Sequence, residues 1–145
     1  MLVAAGAWLA YAHWWGHGDE RPLAYRDLTQ QLGRVEFTRK VTGVYHSRAA
    51  LQGLLDATMP GRAPRVPPID FSRDEVVVVS LGPRSSSGYS LRVVRLVERR
   101  RGLYLTLREQ TPKLGDPVDP HVTYPYRALA IRRSAKPVYV KLLGR

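Results

Sequence analysis

The stretch Ile69–Val97 constrains the fold of this chain more than any other. It reads strand, loop, strand: I-D-F-S-R-D-E-V-V-V-V-S-L, then G-P-R-S-S-S-G-Y, then S-L-R-V-V-R-L-V. Val76–Val79 places four β-branched residues in succession, stiff at χ1 and suited to a pleated surface. A short apolar run bounded by turn formers suits a strand covered on both faces, although periodicity alone does not separate it from a buried helix. Gly82–Gly88 combines glycine, proline and three serines, which interrupt regular structure. Tyr89, Leu91 and Val93 then alternate as a half-buried strand does. The expectation is the core hairpin of an antiparallel sheet, with a long polar loop at its tip and the candidate function on that loop.

The rest of the chain supplies further strands and one clear helix. Val35 and Phe37 alternate with polar residues, and Val41 and Val44 resume after Lys40. This predicts a strand with a bulge near Gly43, or two short strands, over Arg34–Tyr45. Ser47–Thr58 has the helical pattern: Leu51, Leu54 and Leu55 form one stripe, Ser47 is placed to cap and Pro60-Gly61 ends it. Leu103, Leu105 and Leu107 alternate with Tyr104, Thr106 and Arg108, the cleanest strand pattern in the chain. A proline-bearing loop over Thr111–Val122 leads to Tyr124-Pro125-Tyr126 and a strand through Leu129 and Ile131, and a last strand carries Val138, Val140 and Leu142. The expected fold is α+β: a mostly antiparallel sheet, small barrel or sandwich of five to six strands with one capping helix.

At 145 residues the chain suits one domain with a proper core. Leu2–Trp15 is almost wholly apolar but too short for a spanning helix of about 20 residues. Its length fits the apolar part of a signal peptide, and Ala10-Tyr11-Ala12 has the small-x-small form of a cleavage site, although no Lys or Arg precedes it. An apolar helix packed on the domain is the alternative. We divide the chain into a targeting or anchor segment at 1–18, a linker at 19–33 and a domain at 34–145. The expected location is extracytoplasmic: periplasm, cell envelope or secreted, with N-terminal anchoring as one form.

The net charge of +11 is uneven: residues 1–83 carry nine Lys/Arg against eight Asp/Glu, residues 84–145 fourteen against four. A basic half attracts nucleic acid, anionic lipid or acidic protein, or is a solvated surface. Its arginines (Arg92, Arg95, Arg99–Arg101, Arg132, Arg133) are scattered over strands and turns, so any polyanion binding is expected to be weak and salt-sensitive. The absence of cysteine excludes disulfides, thiol nucleophiles and thiolate metal sites.

Catalysis requires groups that act together. His13 and His17 are spaced i,i+4 but adjoin the apolar segment, and His46 and His121 stand alone in the sequence. Asp70 and Asp74 flank a strand start, where aspartate caps turns. Gly82 and Gly88 bracket no phosphate-binding lysine, and Ser85–Ser87 has no adjacent base. The expectation is a protein that is not an enzyme, with no cofactor and no metal.

The helix S-R-A-A-L-Q-G-L-L, the segments I-D-F-S-R-D-E-V-V-V-V-S-L-G, S-G-Y-S-L-R-V, L-T-L-R-E-Q-T-P and T-Y-P-Y-R-A-L-A-I, and the closing K-P-V-Y-V together resemble the PrcB family over residues 34–142. The most specific marks are Asp70-Phe71-Ser72, Ser87-Gly88-Tyr89, Thr111-Pro112 and Pro125-Tyr126; family loops often carry Thr-Gly-Gly-Tyr where this chain has Ser86-Ser87-Gly88-Tyr89. The family is named for an accessory subunit of a bacterial surface protease complex. The resemblance therefore implies a non-enzymatic accessory role with a protein partner, a protease, that it stabilises or modulates. The described subunit is a lipoprotein, and the cysteine such an anchor needs is absent here. Gly88 and Tyr89 alone also resemble the loop that chagasin-like inhibitors present to a cysteine protease. The alternatives are such an inhibitor-like module using Arg84–Tyr89, and a basic polyanion- or nucleic-acid-binding domain. The candidate partner-binding residues are Arg84, Ser85, Ser86, Ser87, Gly88, Tyr89, Tyr124, Tyr126 and Arg127, with membrane contact only through the N-terminal segment.

Overall fold

The computed structural model describes residues 20–144. The apolar segment at 1–18, with His13 and His17, lies outside the described residues. Ten elements follow in order: β1 (Arg21–Pro22), β2 (Tyr25–Asp27), α1 (Thr29–Leu32), β3 (Lys40–Tyr45), α2 (Arg48–Thr58), β4 (Asp74–Leu81), β5 (Ser90–Arg99), β6 (Gly102–Gln110), β7 (Tyr126–Arg132) and β8 (Val138–Leu143). The strands form two four-stranded sheets: a central sheet in the order β2-β7-β4-β3, and an outer sheet in the order β1-β5-β6-β8. Pairing is antiparallel except between β6 and β8. Neither sheet closes into a barrel, so the architecture is an α+β, sandwich-like version of the expected class.

The valine run is explained by its place between two cores. Val76 and Val78 face one core, which also holds Leu51 and Leu55 of α2 and Ala128 and Ala130 of β7. Val77, Val79 and Leu81 face the other, against Leu91 and Leu96 of β5 and Leu103, Leu105 and Leu107 of β6. No residue of this strand can be polar without facing a packed layer, hence the loss of alternation. Helix α2 begins as expected: the Ser47 side chain accepts a hydrogen bond from Ala50 N at 3.1 Å, a cap of about 1 kcal/mol.

Three expectations are corrected. Strands β4 and β5 do not form a hairpin: β4 pairs with β3 and β7, β5 with β1 and β6, and the loop between them crosses from one sheet to the other. The true hairpin is β5–β6, through the turn at Arg100–Arg101. The segment read as linker is part of the fold over residues 21–32: β1 and β2 pair onto the sheet edges, and Leu28 and Leu32 are buried. Of Arg34–Tyr45 only β3 is a strand, unbroken in register against β4. Val35 and Phe37 are buried without pairing, and Gly43 leaves room for the Tyr45 ring, whose hydroxyl would stand 2.9 Å from an added Cβ.

Candidate functional site

The crossing segment 82–89 is held against residues 119–125. Arg84 N donates to Thr123 O at 2.8 Å and Thr123 N to Arg84 O at 2.9 Å, a single antiparallel bridge. Ser87 N donates to Asp119 O, Asp119 N to the Ser87 hydroxyl, and the Thr123 hydroxyl to Ser86 O. Ser86 is itself buried, while Ser85 and Ser87 remain exposed. The two loops thus zip together, and the expected free polar tip is a pinned crossover.

Arg84 is absorbed by this arrangement. Its Nε lies 2.5 Å from Glu109 Oε1 and its Nη2 3.3 Å from Oε2, a bidentate pair, while Nη1 donates to the Leu81 and Pro83 carbonyls. An arginine so occupied is a clamp between the crossing loop and β6, not the exposed specificity residue that a solitary loop charge suggests. Gly88 also departs from expectation. It does not adopt positive φ; the described glycines that do are Gly33, Gly61, Gly82 and Gly115. What Gly88 supplies is space, since a Cβ there would stand 2.6 Å from both Pro112 Cβ and Val118 Cγ1.

Tyr126 belongs to the core. Its hydroxyl donates toward Thr29 O at 3.1 Å and Gly33 O at 2.6 Å, its ring meets Phe37 edge-on at 5.4 Å, and burial pushes the phenol well above its ordinary range. Arg127 ties the two sheets, donating from Nε to Leu91 O at 2.6 Å with Nη1 3.4 Å from Asp27 Oδ2.

What remains open is a groove of about 330 Å³ between the α1 end, the start of β5 and residues 121–127. Half-buried Tyr89 and Tyr124 line it, with exposed Val122, His121 and Arg34 on its rim and Tyr126 and Arg127 in its wall. Four of the nine candidate residues therefore converge on one concavity, while Arg84, Ser86 and Gly88 build the scaffold behind it. The same 111–122 segment exposes Leu114, Val118 and Val122. Leu114 stands fully exposed on a turn closed by Asp116, which takes a hydrogen bond from Lys113 N at 2.7 Å.

One pair escaped the sequence reading. His46, which stands alone in the sequence, places Nδ1 2.9 Å from Glu75 Oε2, at the end of β4. The Glu75 side chain is 1% exposed, and neither oxygen has a well-oriented hydrogen bond. Burial raises its carboxyl above the ordinary value, against the opposing pull of His46, Arg133 and the Ser134 N–H. The signal was a glutamate heading a run of valines covered on both sides. Asp70, by contrast, caps its turn as expected, accepting from Ser72 N at 3.0 Å and from the Ser72 hydroxyl. Among the described residues no three His, Asp or Glu side chains cluster as metal ligands, and no helix is long and apolar enough to cross a membrane.

No curated protein and no solved structure matches the chain. A family model described as PrcB C-terminal matches residues 76–132. That span runs from within β4 to the end of β7 and includes the crossing loop, the β5–β6 hairpin and the groove wall at 121–127. The family resemblance seen in the sequence therefore holds over this segment: from β4 to β7 the chain is similar to the PrcB C-terminal family.

Proposed function

We propose that this domain is a non-catalytic, extracytoplasmic protein-binding module that assists or modulates a protease, and that the partner seats in the Tyr89–Tyr124 groove. The observation that carries this reading is the coincidence of groove and family match: the groove walls at 89–91 and 121–127 lie inside residues 76–132. Aromatic side chains with one face covered and one open are the usual anchors of protein interfaces. The exposed Leu114, Val118 and Val122 on the neighbouring segment extend the apolar surface offered to a partner. The inhibitor-like alternative is weaker, because Arg84, Ser86 and Ser87 are engaged within the fold and leave Ser85 and Tyr89 as the side chains to present.

Capture from a cell-envelope fraction with the full chain as bait is expected to recover a protease or its complex. The double variant Tyr89→Ala/Tyr124→Ala should weaken that capture at least tenfold, the scale of interface anchors, while leaving the melting transition cooperative. Normal capture by the double variant moves the site off this groove.

A further inference from the structure

The outer face of the outer sheet is a second surface, built by the alternation of β6 and β8 and, with one irregularity, of β5. Along β6, Leu103, Leu105 and Leu107 point into the core, so Tyr104, Thr106 and Arg108 point away from it. Register then fixes their neighbours: Arg108 lies between Arg92 and Leu143, Thr106 between Arg95 and Lys141, and Tyr104 between Val97 and Tyr139. The irregularity between Val93 and Arg95 adds Val94 as an extra residue, which returns Leu96 to the core and keeps Arg95 and Arg99 on the outer face. Strands about 4.8 Å apart bring these cations together on one side of the sheet.

The charges on this face are unbalanced. Five cations (Arg92, Arg95, Arg99, Arg108 and Lys141) share one carboxylate: Glu20, which pairs with Arg95 and with Arg99. Among the described residues, Arg92, Arg108 and Lys141 have no ion-pair partner. Arg92 and Arg108 are moreover directly opposed across the strands, an arrangement that costs stability unless an anion lies over it.

We propose that this face lies against the headgroups of an anionic phospholipid bilayer. Glu20, the first described residue, is bonded to this face through Arg95 and Arg99, and the chain before it is the apolar Leu2–Trp15. Four residues separate Trp15 from Glu20, and the five Cα–Cα steps reach at most about 17 Å of extended chain, so a bilayer that receives the apolar segment meets this side of the domain. The aromatic residues favour a lipid surface over a polynucleotide. Tyr104 already stacks with Tyr139 at 5.1 Å and carries the Arg99 guanidinium over its ring at 4.8 Å, contacts that compete with the stacking of a base. Tyr139, half-exposed over Gly102, and exposed Val94 suit the headgroup boundary.

Cosedimentation of the full chain with phosphatidylcholine vesicles, with and without phosphatidylglycerol, tests this. Wild type should bind the anionic vesicles more tightly than the neutral ones. The variant Arg92→Gln/Arg108→Gln/Lys141→Gln should lose about 100-fold on anionic vesicles, from the attraction each surface cation contributes. It should bind neutral vesicles as before and melt no lower than wild type. A charge-matched variant at exposed positions outside this face, Arg39→Gln/Lys40→Gln/Arg65→Gln, should retain anionic binding. Equal weakening of both variants, or equal binding of wild type to neutral and anionic vesicles, overturns the proposal. So does tighter binding of oligodeoxythymidylate than of anionic vesicles with loss in the first variant, which assigns the face to a polynucleotide.

Discussion

Strands β4 and β6 each sit between two neighbours in a four-stranded sheet, yet their sequences obey different rules. β4 is D-E-V-V-V-V-S-L and is buried on both faces after Asp74; β6 is G-L-Y-L-T-L-R-E-Q and alternates. The difference is a third layer. Helix α2 and the segment through Val35 and Phe37 cover the far side of the central sheet, while among the described residues no element covers the far side of the outer sheet. A sandwich with one closed side and one open side concentrates its polar chemistry in two places: the seam where the chain crosses between sheets, and the open face.

Substitutions on the two sides of β6 are expected to differ most in cost. Leu105, 1% exposed, faces the inter-sheet core, and Leu105→Ala should cost roughly 2–5 kcal/mol in urea denaturation. Its neighbour Thr106 faces outward, and Thr106→Ala should change stability by no more than about 0.5 kcal/mol. Similar losses for the two would show that the open face is covered after all.

The seam is sharpened by a smaller change. Gly88→Ala places a methyl group 2.6 Å from Pro112 Cβ and Val118 Cγ1, so segment 112–118 must move away from the crossing loop. An overpacking cost of about 1–3 kcal/mol is expected, with weaker partner capture because residues 121–124 follow directly on the displaced segment. A variant with wild-type stability would show that this segment yields freely and that the seam is not a rigid mount for the groove.

These contrasts track what the sequence made legible. β6 and α2 were readable because their signals are local: period two in one case, a serine cap and a leucine stripe in the other. The partner of β4 was not, because a valine run says that both faces are covered but not by what, and proximity in sequence suggested β5. Leu28 and Leu32 gave too short an apolar pattern to mark residues 21–32 as core. In the candidate site the aromatic pair Tyr89 and Tyr124 was legible as residue types in turn-rich sequence. The occupation of Arg84 was not, since its carboxylate partner, Glu109, comes 25 residues later. Gly88 was recognised as needed but for the wrong reason, because steric space depends on Pro112 and Val118, which only the fold brings near.

The smallest expected effect tests the one buried carboxylate of β4. Glu75 shares the inter-sheet face of β4 with Val77 and Val79, and burial raises its carboxyl above the ordinary value of 4.5 despite the nearby His46. A carboxyl whose pKa is higher in the folded state than in the unfolded one adds stability that is fully present below the unfolded value. That stability is lost as the pH rises through the folded value. Near neutrality the buried carboxylate is therefore a cost, and Glu75→Gln, which keeps the shape without the charge, should raise stability by about 1 kcal/mol, a few degrees in Tm. Toward pH 4.5 the difference should vanish as the wild-type carboxyl takes up its proton. The comparison must be made between the two proteins at each pH, not on wild type alone. Asp70 is held low by its hydrogen bonds from Ser72, and Glu98 by its bond from Lys136, so both weaken the fold on acidification and mask the opposite trend from Glu75. In the difference between variant and wild type they cancel. A gap in Tm that stays constant from neutrality to acid would show that Glu75 keeps its charge throughout, held by His46 and Arg133, and that the inter-sheet core tolerates an ion pair at its edge.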